Sequence, residues 1–309
     1  MNLHTYLSAV GYEILTRQSE IAAVIEGFVD DAVRENRIET DDNNPLPEGF
    51  FEAQVRQRLL CDTLGNDVGA VVIRGLYNPE KNIFDIQFYY PEIRGKSYDS
   101  VTTDVELERE RDRDAYLVHC NSIGSELEPI FFLSNSFEFV KENGRIENLK
   151  NCSVVFGGLA VEGKIILPIN KTDEQISKQH NYFSKRIGLV EETKCGNEEA
   201  ASRLAMMDYD AIADICRRVQ NTDLYSVVDS SFVPSGMECD TYKVVGNILY
   251  CELLTNPVTG GQVYYMDLEC NNEHISIAIN AANLQGIPME GFRFVGRVWL
   301  QGRISKSND

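Results

Sequence analysis

The densest run of ionisable groups in the chain is DVELERERDRD, residues 104–114. Asp104, Glu106, Glu108, Glu110, Asp112 and Asp114 fall on alternate positions, and Arg109, Arg111 and Arg113 lie between them. Neighbouring side chains of a strand point to opposite faces, so a strand here has an acidic face and, toward its end, a basic one. Such an acidic face holds a divalent cation only where carbonyl ligands and turn glycines converge on it. On a helix the same residues make near-neighbour pairs, Glu106 with Arg109, Glu108 with Arg111 and Glu110 with Arg113. The segment is then a solvated surface. With no glycine in the run, the solvated reading is preferred.

The remaining reactive residues fall short of a working spacing. A phosphate cradle needs a glycine loop that opens a helix. Gly157-Gly158 instead lies within a strand pattern, and Gly260-Gly261 follows Asn256-Pro257-Val258-Thr259 as a turn. A zinc site draws two ligands from one turn, and the chain has no C-x-x-C or H-x-x-x-H. His119 and Cys120 are adjacent and would face opposite sides of a strand; His274 and Cys270 are poorly spaced. There is no G-x-S-x-G elbow. Nothing favours a distant pair such as Cys61 or Cys152 with His180 over inert thiols. The eight cysteines are widely spaced, mostly in apolar, strand-like surroundings, which predicts buried reduced thiols. Trp299, the only tryptophan, sits in a strand pattern and reads as core rather than as an interface anchor. No catalytic, cofactor-binding or metal-ligating residue is assigned, and no cofactor is expected.

The elements that position these residues read as α+β. A chain of 309 residues holds one large or two medium domains. Its 48 acidic and 29 basic residues give a net charge of −19, which disfavours nucleic acid and anionic membrane surfaces as partners. No apolar run is long enough for a membrane span, and MNLHTYLSAVGYE lacks the pattern of a secretory signal. A cytoplasmic protein is expected. Its partner is an unknown protein or a small-molecule ligand, with no nucleic acid and no membrane; self-association is left open.

A short helix is expected over LHTYLSAV. A longer one follows, with Ser19 as cap and Ile21, Val24, Ile25, Phe28, Val29, Ala32 and Val33 on one face. Residues 38–49 form a loop. Strands are expected at 68–77, 82–90, 115–120 and 128–133, then a short helix from Ser136 to Glu142. CSVVFGGLAV and KIILPI read as two strands joined by a hairpin turn at Glu162-Gly163. The second half offers helices near 174–187 and 198–219. Asn197 caps the latter, with Ala201, Leu204, Ala205, Ile212, Ile215 and Val219 facing inward. Strands follow at 241–246, 247–254, 262–269, 274–279 and 293–300, with a helical piece near 281–285. Short links predict an antiparallel-dominated sheet.

The halves share anchors in the same order. The offset falls from 176 (His4 to His180) through 165 (Asn82 to Asn247), 150 (Cys120 to Cys270) and 145 (Asn135 to Asn280) to 139 (Gly163 to Gly302). Thr16-Arg17 also falls opposite Thr193-Lys194. A tandem duplication with loop insertions in the first copy gives such a drift. The expectation is two similar copies, 1–170 and 171–309, each a helical pair plus an antiparallel sheet, with residues 96–114 as a charged insertion. Related copies pack about a pseudo-twofold axis, and the cleft between them is the default ligand site.

FYYPEIRG (88–95), GFRFVGRVWLQGRI (291–304) and the opening YLSAVGY resemble an uncharacterised bacterial family found mainly in Clostridia, over essentially the whole chain. The resemblance implies a cytoplasmic bacterial protein and assigns no site residue. Because no cluster of reactive groups stands at a recognisable spacing, a non-catalytic binding or interaction protein is expected. The alternative is an enzyme of unfamiliar type in the cleft between copies, using scattered carboxylates or His119 and His180.

Overall fold

The computed structural model describes residues 3–12, 18–96, 100–109, 115–121, 128–143, 149–169, 173–219, 228–236, 238–271 and 273–306. A 3-10 helix, Leu3–Val10, comes first, buried from Tyr6 onward, and is followed by α1 (Gln18–Arg34). Then come β1 (Glu39–Thr40), β2 (Phe51–Cys61), β3 (Asp67–Asn78) and β4 (Ile83–Ile93). β5 (Val101–Arg109), β6 (Tyr116–Asn121), β7 (Ile130–Leu133), α2 (Ser136–Asn143) and β8 (Leu149–Ile166) follow. The helices α3 (Asp173–Lys194) and α4 (Glu198–Val219) lead to β9 (Ser231–Pro234), β10 (Thr241–Thr255), β11 (Gln262–Cys270) and β12 (Glu273–Asn280). A 3-10 turn (Ala281–Asn283), β13 (Leu284–Gln285) and β14 (Arg293–Lys306) complete the fold. The chain is α+β. No helix among the described residues is long and apolar enough to cross a membrane.

Two strands organise the larger sheet. β8, with 18 residues, and β14, with 14, pair antiparallel along most of their length. One end of this pair is closed by β12, β11 and β10, which run from β8 round to β14. The other end is closed by β5, β6 and β7, which also run from β8 round to β14. Two five-stranded circuits thus share one wall. Both are filled by one cluster that includes Val118, Phe131, Phe156, Met266, Ile277, Phe294 and Leu300; small closed barrels are packed in this way. The pairing is antiparallel except where β8 meets β12 and β13 and where β7 meets β14.

Glu162-Gly163, expected to turn, lies inside β8 and pairs with Arg297-Gly296 of β14. Glycine is needed here for a close approach rather than for a turn. The ring of Phe294 crosses both glycines: a Cβ on Gly296 would lie 2.3 Å from Phe294 Cζ, and one on Gly163 would lie 2.4 Å from its Cε2. Gly296→Ala should therefore destabilise the chain by about 1–3 kcal/mol in chemical denaturation. Phe294→Leu in the same chain should recover part of that loss.

β1–β4 form a separate antiparallel meander. It covers the outer side of β8, β12 and β14, with the opening 3-10 helix between the layers: Leu7, Ala9 and Val10 are buried in a cluster with Ile73, Tyr90, Leu159, Ala278 and Trp299. α1 buries Ile21, Ile25, Phe28, Val29 and Ala32 in this cluster, with Val24 and Val33 at its edge, the face its spacing predicts. Ser19 lies within α1 rather than ahead of it. The 3-10 helix ends at Gly11, whose φ is +95°. The turn after β10 clasps it: Asn256 Nδ2 donates to Val10 O at 2.7 Å and Thr259 Oγ1 to Gly11 O at 2.6 Å. Gly261 makes this clasp possible, because a Cβ there would meet Gly11 O at 2.1 Å.

β2 was not expected; Gln54, Arg56, Gln57 and Arg58 interrupt its apolar pattern. The strands expected at 241–246 and 247–254 form a single strand, β10, and the short helix at 281–283 is present. Within the charged segment, Val101–Arg109 is a wall strand, β5, with Thr103 and Val105 buried and Glu106, Glu108 and Arg109 exposed. The preferred solvated-helix reading fails there, because β6 and β8 flank the strand. Glu110, Arg111, Asp112, Arg113 and Asp114 lie outside the described residues, as do Thr16 and Arg17. Asn82 and Asn247 occupy unlike places: Asn82 is in the turn before β4, whereas Asn247 is inside β10.

α3 and α4 pack on each other as a hairpin. Asn197 accepts from the amides of Glu199 and Ala200, the expected cap. Arg186 Nε donates to Asp208 Oδ1 at 3.0 Å, and Lys194 of α3 pairs with Glu128, just ahead of β7. Ala200 is the only buried residue among the described side chains of the two helices. Ala205 and Ile212 face solvent rather than the hairpin seam. The side chains of Ile215 and Val219 lie outside the described residues.

Candidate functional site

The ionisable groups gather at two junctions and one open pocket. The first junction lies where the four-stranded meander crosses β14. Glu92 of β4 is 1% exposed. Its carboxylate accepts from Arg56 Nε at 2.7 Å and Arg303 Nη1 at 2.7 Å, and Arg94 Nε stands 3.4 Å away. Burial alone would raise its pKa; the arginines, Arg56 foremost, outweigh that and hold it near 2. Arg56 also pairs with Asp67, and Arg303 approaches Glu138 of α2 at 3.9 Å. Beside this cluster, Gln301 is fully buried and substitutes for a strand partner: it accepts from the Ile93 amide at 3.1 Å and donates to Pro91 O at 2.7 Å. Arg74, also buried, lies 4.7 Å over the ring of Phe137 and donates to Ser136 Oγ. These groups pair around a carboxylate that is itself buried, while Arg94 and Arg303 reach partly into solvent at 30% and 28% exposure. They join layers.

The second junction is on the β11–β12 side. Asp267 accepts from Ser276 Oγ at 2.7 Å and pairs with Lys96, whose ammonium lies 4.0 Å over the ring of Tyr250. Tyr250 donates to Glu252, which also accepts from the Thr63 amide. This network ties the β2–β3 turn to β10.

The open pocket, about 390 Å³, lies on the shared wall, at the end closed by β10–β12. β8 contributes Glu162 and Lys164, β14 contributes Val295 and Arg297, and β10 contributes Lys243. Register brings them together: Arg297 stands opposite Glu162 on one side and Lys243 on the other, and Lys164 stands opposite Val295. Outward-facing positions on adjacent strands thus place three cations and one carboxylate around one hollow. Arg297 Nη2 is 3.6 Å from Glu162 Oε1, too long for a firm hydrogen bond. Ser235, Asn283 and Gln285 supply neutral polar groups to its lining. A second hollow, about 670 Å³, is mainly apolar, with Ile165, Leu167, Ile287 and Phe292 in its lining. Arg293 crosses it to donate to Leu167 O at 3.0 Å and Val228 O at 2.9 Å.

The residues considered from sequence are scattered. His119 is on β6 and His274 on β12. His180 is on α3 with its side chain outside the described residues, so no pairing with Cys61 or Cys152 is seen. Cys120, Cys152 and Cys270 are buried, and burial pushes their thiols up to about 12, 11 and 12. Such thiols are poor nucleophiles. The expectation of buried thiols fails for Cys61, Cys195, Cys216 and Cys239, which are exposed. Among the described residues no group of three His, Cys, Asp or Glu side chains is placed to hold a metal ion. Trp299 is fully buried, against Tyr6 and Phe132, with its indole N–H on Asp240 at 2.7 Å. The basic hollow left no local signature in the sequence: its cations come from three strands up to 133 positions apart, Lys164 to Arg297.

No curated protein and no solved structure matches the chain. Residues 7–302 match the family model described as "Domain of unknown function, E. rectale Gene description (DUF3881)". The match covers all the strands and helices that build both junctions and the basic hollow, apart from the first turn of the opening helix and the last residues of β14, and on that extent the chain belongs to the DUF3881 family.

Proposed function

We propose that the chain is a non-catalytic binding protein whose ligand is a small organic anion, a carboxylate or phosphate, held in the hollow on the β8–β14 wall. The observation that carries this reading is the convergence of Lys164, Lys243 and Arg297 on a volume of about 390 Å³ against a single carboxylate, Glu162. That volume is in the range that accepts small ligands. The convergence is notable in a chain of net charge −19, because a random patch of this surface would be acidic. A planar guanidinium beside two ammonium groups suits carboxylate or phosphate oxygens.

Calorimetric titration with inorganic phosphate, citrate and a nucleoside monophosphate tests the reading. One of them should bind at one site per chain, more weakly as salt is raised. Lys243→Glu should cut that affinity at least about tenfold, since reversing a charge a few ångströms away costs about 2 kcal/mol or more. No saturable binding by any of the three would end the proposal. Turnover of a bound anion, abolished by one carboxylate or histidine substitution, would replace it with the enzyme reading.

We also infer that the two circuits descend from an internal duplication. Each is built in the same order: three antiparallel strands, a short helix and a long strand, β5-β6-β7-α2-β8 and β10-β11-β12, the 281–283 turn and β14. Cys120-Asn121 ends β6 and Cys270-Asn271 ends or follows β11. Asn135 and Asn280 stand at the heads of the short helices. In this reading Lys164 occupies the place of Arg303, which grips the Glu92 carboxylate, and that supports an anion at Lys164. Superposing 101–166 on 241–306 should align the strands in order and bring the two Cys-Asn pairs together. An alignment that works only by breaking chain order overturns the inference.

A further inference from the structure

We propose, on the strength of the anion reading above, that the basic hollow and the apolar hollow beside it form one trough for one ligand. That ligand is a carboxylate with a linear alkyl tail, its head among Lys164, Lys243 and Arg297 and its tail between Leu167 and Ile287. The two hollows share Lys164, and they adjoin at the β13–β8 seam, where Gln285 lines the first and the next residue, Gly286, lines the second. Register makes them continuous: Gln285 of β13 stands opposite Lys164, Arg297 of β14 opposite Glu162, and Arg293 opposite Ile166. Glu162, Lys164 and Ile166 alternate onto one face of β8. From Glu162 to Ile166 that strand advances about 13 Å, comparable with an extended chain of about eight to ten carbons.

The two ends of the trough differ in chemistry. The first gathers cations from three strands around one carboxylate. The second, about 670 Å³, is lined chiefly by aliphatic groups, and none of its described lining residues is acidic. Leu167 and Ile287 are 70% and 73% exposed in its lining. A tail laid between them takes both side chains out of water, a gain that a short anion cannot make. Arg293 is engaged by the carbonyls of Leu167 and Val228, which fixes the end of β8 that the tail follows. With the head held by the cations, the shared Lys164 directs the tail along β8 into the aliphatic hollow.

Calorimetric titration of the full chain with butyrate and octanoate tests this. Octanoate should bind at one site per chain and at least about tenfold tighter than butyrate, because the added methylenes leave water at least in part. Leu167→Asn together with Ile287→Asn makes the aliphatic hollow polar without changing its charge, and should bring that ratio down to about threefold or less. Both side chains are largely exposed, so core packing is untouched. Lys243→Glu should weaken octanoate at least about tenfold, since its head occupies the basic hollow. If butyrate, octanoate, phosphate and citrate all fail to bind, the anion reading falls and the alkyl-carboxylate ligand with it. If any smaller anion binds but octanoate gains nothing over butyrate, the anion reading stands and the tail site is overturned. An octanoate advantage that survives the double substitution overturns it as well, and so does an octanoate affinity indifferent to Lys243→Glu.

Discussion

Glu92→Gln should lower the stability of the chain by about 3–5 kcal/mol, the usual result of removing one partner from a buried charge cluster. Glutamine fills the same space but leaves Arg56 and Arg303 facing a neutral amide where a buried carboxylate stood. For a chain of this size the loss corresponds to a melting temperature lower by about 6–10 °C. The effect carries a pH signature. The arginines hold the folded-state pKa of Glu92 near 2, below the ordinary glutamate value of 4.5. A depressed carboxylate contributes stability that is fully present above the unfolded value and is lost as pH falls toward the folded one. The gap between wild type and Glu92→Gln should hold steady from pH 7 to about 5 and close between about 4.5 and 2. Thermal melts across that range decide the matter. A gap that is absent at pH 7, or one that widens on acidification, would show that the arginines do not depend on this carboxylate.

Trp299→Ala should cost about 3–5 kcal/mol, read by urea denaturation followed in the far-ultraviolet, since the variant has no tryptophan to follow. The indole is at once a wall residue of β14 and the floor under the opening helix, with Tyr6 at 5.1 Å and Phe132 at 5.2 Å between ring centres. Truncation therefore opens a cavity between layers rather than at an edge. Trp299→Phe keeps a ring in place but removes the N–H from Asp240, and it should cost less than half as much. Equal losses for the two substitutions would mean that the hydrogen bond, not the packing, fixes the layer.

What could be read from sequence was local. The α1 face, the Asn197 cap and the turn at Asn256–Gly261 depend on residues a few positions apart, and the chain adopts them. β2 is masked in the sequence because Arg56 breaks its apolar pattern, yet Arg56 is polar for a reason that lies elsewhere: its partners are Asp67 and Glu92. Glu162-Gly163 has the composition of a turn, and only Phe294, 131 positions on, explains the glycine as a gap for a ring. The alternating charges of 104–109 were compatible with helix or strand, and the neighbours β6 and β8 decided between them. Placing Ala205 and Ile212 on the inner face of α4 was an error of the same kind: amphipathic spacing identifies apolar stripes but not which one meets α3. The basic hollow was invisible because adjacency across strands is set by register, which no window of sequence contains.

The shared wall also imposes a timetable. β8 ends at Ile166 and its principal partner β14 begins at Arg293, so a ribosome must add roughly 130 more residues, on the order of ten seconds of synthesis, before the pair can form. Neither barrel can close in that interval, because each needs β14 as a stave. An 18-residue strand waits meanwhile with an open edge, the kind of surface that recruits chaperones or other nascent chains. Closure of both barrels is therefore abrupt and decided by the arrival of β14.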